Sequence, residues 1–98
     1  MTRIRICKDN SRYTLRADEH CARTEVCNAV STLCGQFAQI GAYLFDNADI
    51  HFGDGECEIS FPVSEKADSM ILATVLGFKQ LESMYPEILK VETNGLTW

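Results

Sequence analysis

Residues 24–44 read TEVCNAVSTLCGQFAQIGAYL, and this stretch decides the fold. Its large apolar side chains recur at spacings of three and four, which is the period of one face of an α-helix. These side chains are Val26, Val30, Leu33, Phe37, Ile40 and Leu44. Thr24 is a residue type that favours the N-cap position. The stretch therefore predicts an amphipathic helix of about five turns, in which Gly35 and Gly41 either weaken the helix slightly or mark close packing.

The residues before this helix alternate between polar and apolar side chains. Residues 2–7 place Ile4 and Arg5 on opposite faces, and residues 12–17 alternate in the same way. Between them, residues 8–11 (KDNS) are typical of a turn. We therefore predict an N-terminal β-hairpin.

A second hairpin and a second helix follow the first helix. Residues 50–61 alternate around the turn Gly-Asp-Gly, which predicts two short strands. Ser64 is a candidate N-cap for the second helix, which ends before Pro86 because the residue preceding a proline avoids helical geometry. Residues 88–91 predict a last short strand. The expected buried face of the second helix consists of Ile71, Leu72, Val75, Phe78 and Leu81.

These elements define the expected fold class. The order β-β-α-β-β-α-β predicts an α+β protein, with a mostly antiparallel sheet covered on one face by two helices. A length of 98 residues predicts a single domain over residues 1–98.

Composition excludes several classes of protein. The net charge of −5 argues against direct nucleic-acid binding, which needs clustered Lys and Arg. The five cysteines form no regular framework, so a disulfide-stapled secreted domain is not expected. No apolar run reaches the roughly 18 residues of a membrane span, and the N-terminus lacks the apolar core of a signal peptide. We therefore expect a cytoplasmic protein with reduced thiols and no membrane contact.

One histidine and one cysteine stand seven positions apart at the start of the first helix. His20 lies in a polar connection, and Cys27 lies in the first turn, where backbone N–H groups and the helix dipole stabilise a negatively charged sulfur. Only six residues separate the two, so little closure entropy opposes their contact, although the Glu25 carboxylate disfavours a thiolate. The pattern is compatible with a nucleophile–base pair. For an arbitrary pair at this spacing, a small helix cysteine beside a solvated histidine is the commoner arrangement.

Two further side chains are candidates for a supporting role. Ser31 lies one helical turn after Cys27 on the same side, so its hydroxyl either orients a catalytic group or fills space beneath a loop. His51 lies in a predicted strand and is an alternative base if His20 points away from Cys27.

A metal site is not expected. Structural zinc sites use closely paired cysteines, and this chain has no Cys-x(2–4)-Cys pair. Cys27 and Cys34 are two helical turns apart, about 10 Å along the axis, which is too far to share one ion. The remaining candidate ligands are His20 and Cys21. We predict neither a metal nor another cofactor.

At this point the chain resembles the ribosomal-processing cysteine protease family, Prp. The family carries a Gly-His-Ala segment after an N-terminal hairpin, where this chain has Glu19-His20-Cys21. The family's helix then begins with a sequence like Asp-Ile-Val-Cys-Ala-Ala-Val-Ser, where this chain has TEVCNAVS over residues 24–31. The Val-Cys-x-Ala-Val-Ser core is the most specific part. The second helix and the last strand are also similar, so the resemblance covers nearly the whole chain.

The resemblance implies a small homodimeric cysteine endopeptidase. Family members remove an N-terminal extension from a ribosomal large-subunit protein, and related phage proteins are also substrates. Carried over, Cys27 is the nucleophile, His20 is the general base, and Ser31 matches the family's serine one turn later. Thr24 stands where the family usually has aspartate.

Three departures from the family pattern support an alternative function. Glu19 replaces the glycine before the histidine, Thr24 replaces an aspartate, and the connection from His20 to Cys27 is several residues shorter than usual. The alternative is a catalytically impaired, dimeric peptide-binding or assembly module with the same fold.

Overall fold

Five strands and two helices follow one another in the predicted order along residues 1–18, 23–53 and 55–96, the part of the chain that this computed structural model describes. They are β1 (Thr2–Lys8), β2 (Arg12–Asp18), α1 (Thr24–Leu44), β3 (Asp49–Gly53), β4 (Glu56–Pro62), α2 (Glu65–Met84) and β5 (Leu89–Asn94). This order confirms the predicted α+β class.

The strands form one sheet in the order β3-β4-β2-β1-β5. Both predicted hairpins are confirmed, since β1 pairs with β2 and β3 pairs with β4 in antiparallel fashion. The pairing of β2 with β4 is also antiparallel, but β5 runs parallel to β1. The sheet is therefore mostly antiparallel, as predicted, and mixed rather than purely antiparallel. The chain returns through α2 before β5, a crossover that allows two strands to run in the same direction.

β5 differs from its prediction in extent. It spans Leu89–Asn94 rather than 88–91, because the register with β1 continues from Thr2 opposite Leu89 to Cys7 opposite Asn94. Gly95 then turns the chain with a φ of 78°.

The apolar faces of α1 and α2 cover one face of the sheet. Alternation along β1 buries Ile4 and Ile6 beneath the helices and leaves the arginines between them exposed on the open face. The predicted helix faces are largely correct, but Leu33, Leu44 and Leu72 are only half-buried. Small residues replace them in the core, where backbones approach closely. These are Cys34, Ala38 and Gly41 in α1 and Ala67 and Thr74 in α2.

The two helix starts gave different outcomes. Ser64 is the N-cap of α2 as predicted, and its Oγ accepts a hydrogen bond of 3.0 Å from the backbone N–H of Ala67. Thr24 is not the N-cap of α1, which corrects that prediction by one residue. Arg23 holds the position with extended backbone angles (φ −121°, ψ 134°) and no side-chain cap bond, so Thr24 is already the first helical residue.

Candidate active site

A pocket of about 200 Å³ opens where α1 begins, β2 ends and β4 begins. Its lining is mostly apolar and comes from all of these elements, together with the end of β3. The lining residues that the site argument uses are Cys27, Ser31, Cys34, Phe52 and Cys57. A concave, largely apolar surface with a few polar groups is the usual form of a ligand site.

Cys27 lines this pocket from the first part of α1 and is partly exposed. It is the fourth helical residue, because the helix starts at Thr24, and its own N–H donates to the Arg23 carbonyl at 3.0 Å. The N–H groups of residues 24–26 have no partner further back along the helix, and their positive ends point toward its start. The sulfur therefore lies beside a first turn that favours negative charge.

Glu25 is the carboxylate expected to oppose a thiolate. It accepts a hydrogen bond from its own backbone N–H, and Arg23 Nη2 lies 2.5 Å from its Oε1. These two contacts, the backbone bond first, hold the pKa of Glu25 below its usual 4.5. The Arg23 guanidinium also stacks 5.3 Å from the Tyr85 ring. Because Arg23 offsets the Glu25 charge locally, the repulsion on a thiolate at Cys27 is smaller than the sequence predicted.

The structure brings together part of the predicted site. Ser31 lines the same pocket as Cys27, as their spacing of one helical turn predicted. Thr24 is exposed at the start of α1. His20 and Cys21 lie outside the described residues, so the distance from His20 to Cys27 stays a prediction. Residues 19–22 connect Asp18, at the end of β2, with Arg23, at the start of α1.

His51 is not placed to serve as the alternative base. It pairs with Glu58 across the β3–β4 hairpin, whereas the next residue, Phe52, pairs with Cys57. Successive side chains of a strand point to opposite faces, and Cys57 is buried beneath the helices. His51 therefore lies on the open face of the sheet, away from Cys27.

Two other cysteines of the pocket were not singled out as site residues by the sequence. Cys34 and Cys57 are both buried, with 3% and 6% of their surfaces exposed. The Cys34 thiol donates a hydrogen bond to Cys57, and this bond is the main reason that the pKa of Cys57 lies below its usual 9.0. The available signal was the inward position of Cys57 in the alternation of β4, but the sheet order that brings it to α1 is not a local property.

Metal ligation and membrane spanning were tested on the same part of the chain. Among residues 1–18, 23–53 and 55–96, no group of three or more His, Cys, Asp or Glu side chains is arranged to hold a metal ion. Neither α1 nor α2 is long and apolar enough to cross a membrane.

The architecture, two helices on one face of a five-stranded mixed sheet, is shared with known crystal structures. One is the essential ribosomal processing protease Prp from S. aureus, in complex with a covalently linked product peptide. It matches with a TM-score of 0.73 and 17% identity, over 95% of this chain and 99% of that chain. The second is SMU.848 from Streptococcus mutans, with a TM-score of 0.73 and 20% identity, over 96% of this chain and 97% of that chain.

Sequence comparison alone does not find this relationship. No protein-family model matches the chain, and no curated protein sequence matches it. At 17% and 20% identity, the two structures establish that the fold is that of Prp. The predicted resemblance is thus confirmed as a likeness of fold.

Proposed function

We propose that this protein is a cysteine endopeptidase that removes an N-terminal extension from a ribosomal large-subunit protein or a related phage protein. The observation that carries the proposal is the place of Cys27. A partly exposed thiol at the start of α1 lines a largely apolar pocket, in the fold of a ribosomal processing protease. The solved relative holds a product peptide, which supports a peptide substrate here.

Each group has a definite role in this reaction. The Cys27 thiolate attacks the scissile carbonyl carbon, and His20 takes the thiol proton and then gives it to the leaving amine. Backbone N–H groups in the first turn of α1 stabilise the oxyanion that develops on the carbonyl oxygen. Ser31 and Thr24 support this arrangement from the same helix. The acyl group is released from Cys27 when water attacks the thioester.

The pocket supplies the binding energy that places the carbonyl. An apolar substrate side chain next to the scissile bond enters between Phe52 and Val30, where it leaves water. Acidic side chains line the adjacent strand edge at Glu56 and Glu58, and they favour a basic peptide such as a ribosomal protein segment. We further propose a single domain over residues 1–98 that acts as a homodimer in the cytoplasm.

The test compares four proteins on peptides that span the N-terminal cleavage site of a ribosomal large-subunit precursor. The wild type and Cys7→Ala are expected to cleave, because Cys7 is exposed on the open face of the sheet. Cys27→Ala and His20→Ala are expected to lose about 10²-fold or more in kcat/KM. Cleavage by Cys27→Ala at the wild-type rate would falsify the assignment.

A second readout separates the protease from the catalytically impaired binding module. The shortened connection before Cys27 is the feature that favours the module. An activated Cys27 reacts with iodoacetamide at neutral pH faster than the more exposed Cys7. If the wild type binds the peptides without cleaving them, and Cys7 reacts faster than Cys27, the module is the correct function.

A further inference from the structure

Two buried cysteines meet on the inner side of the pocket. Cys34 comes from α1, two helical turns after Cys27, and Cys57 comes from β4. Both line the pocket, and their sulfur atoms are joined by the hydrogen bond from Cys34 to Cys57. The proposed protease reaction uses neither thiol.

The fold holds this pair in a fixed place. Cys57 lies opposite Ala17 in β2 and opposite Phe52 in β3, so its side chain points inward from the middle of three paired strands. Cys34 lies on the buried face of α1, between Val30 and Phe37. Because both backbones belong to regular elements, the two thiols are neighbours by construction rather than by chance contact of loops.

We propose that Cys34 and Cys57 form a redox-reversible site that a peroxide converts to a disulfide. In the first step, the Cys57 sulfur attacks one oxygen of hydrogen peroxide, the O–O bond breaks, and water leaves with the thiol proton. The product is a sulfenic acid on Cys57. In the second step, the Cys34 sulfur attacks this sulfenic sulfur, the S–O bond breaks, and a second water leaves with the Cys34 proton. Two thiols and one hydrogen peroxide thus give one disulfide and two waters.

Geometry selects this pair over the other cysteines of the described chain. Cys27 and Cys34 are seven residues apart on one helix, about 10 Å along the axis, and a disulfide needs Cα atoms within roughly 7 Å. Cys7 is exposed on the opposite face of the sheet. Cys57 is also the more reactive partner, because the Cys34 hydrogen bond lowers its pKa and thiolates are the species that peroxides oxidise.

The pocket gives the oxidant its route. Its volume of about 200 Å³ admits a molecule as small as hydrogen peroxide to the sulfur atoms. The resulting bridge joins α1 to β4 and closes the loop of residues 34–57, which contains β3. Oxidation therefore constrains the pocket wall beside Cys27 and raises the melting temperature of the protein.

The experiment treats the full-length protein with hydrogen peroxide, alkylates the remaining thiols after denaturation, and maps the digest by mass spectrometry. A peptide pair linked through Cys34 and Cys57 is expected, lighter by two hydrogens than the reduced pair and lost after treatment with dithiothreitol. The result that overturns the proposal is alkylation of Cys34 and Cys57 in the treated protein, whether Cys27 is over-oxidised or Cys7 joins two chains.

Variants separate this site from the proposed protease. The linked pair must form in Cys27→Ala, which lacks the proposed nucleophile, and in Cys7→Ser. It must be absent in Cys34→Ser and in Cys57→Ser. Mapping of the wild type does not depend on whether the buried variants fold. Loss of the linked pair in Cys27→Ala would assign the oxidation to Cys27 instead and contradict the proposal.

Discussion

A buried tyrosine connects the sheet to the second helix through its hydroxyl. Tyr13 has no exposed surface, and its ring packs 5.5 Å from the ring of Phe61. The hydroxyl donates to the Asp68 carboxylate, which also accepts from Lys8 Nζ at 3.0 Å. The Tyr13 bond first, and the Lys8 ion pair after it, hold the pKa of Asp68 below its usual 3.8.

Tyr13→Phe removes the hydroxyl and keeps the ring. We expect the free energy of unfolding at neutral pH to fall by about 1 kcal/mol, the usual contribution of one such hydrogen bond. Because the folded pKa of Asp68 is lowered, its stabilisation is complete above pH 3.8 and is lost as the pH falls through the folded pKa. The difference between the two proteins therefore narrows in acid.

Urea unfolding at neutral pH and at about pH 3 checks this prediction. The matched control is Tyr43→Phe, since Tyr43 is 73% exposed and its hydroxyl faces water. Its stability should stay within about 0.5 kcal/mol of the wild type at both pH values. Equal stability of Tyr13→Phe and the wild type at neutral pH would show that the Asp68 contact does not stabilise the fold.

At the scale of the element, α1 carries two glycines with different surroundings. A Cβ on Gly41 would lie 2.5 Å from Cδ2 of Phe61, whose ring is fixed by Phe37 at 5.1 Å and by Phe45 at 5.9 Å. A Cβ on Gly35 would meet nothing within 4 Å. The close packing that the sequence left open is therefore real at Gly41 only.

The two alanine substitutions should change stability in opposite directions. Gly35→Ala gains helix propensity without a contact, so we expect the free energy of unfolding to rise by roughly 0.5–1 kcal/mol. Gly41→Ala gains the same propensity but forces the Phe61 ring to move, and we expect a net loss of about 1–3 kcal/mol. Thermal unfolding followed by circular dichroism measures both. A shift of the same sign in both variants would contradict this account of the α1–β4 contact.

Local patterns predicted elements well and neighbours less well. The alternation of β1 and β2 gave their bounds to within one residue, and the spacing of apolar residues placed the first residue of α1 at Thr24. Neither pattern carries information on which distant strands pair, so the parallel position of β5 beside β1 was not predicted. The same limit applied to the site. Spacing along one helix joined Cys27 to Ser31, but only the sheet order brings Cys57 to their pocket.

At the scale of the whole molecule, stability is expected to vary across the sheet. β1 and β2 each have a strand on both sides and a buried face under the helices. β3 is an edge of the described sheet, pairs with β4, and has all five residues exposed. Few buried apolar contacts mean that a segment opens at low free energy without global unfolding. β3 is also the pocket wall that carries Phe52.

Hydrogen exchange followed by mass spectrometry tests this gradient. Amides of β1 and β2 should exchange only through global unfolding, and the amides of β3 that bond to β4 should exchange faster, through local opening. If peptides bind the pocket as proposed, a saturating peptide should slow exchange in β3 and leave β1 unchanged. Exchange in β3 as slow as in β1 would contradict the local opening. Fast exchange that a bound peptide does not slow would instead place peptide binding away from the Phe52 wall.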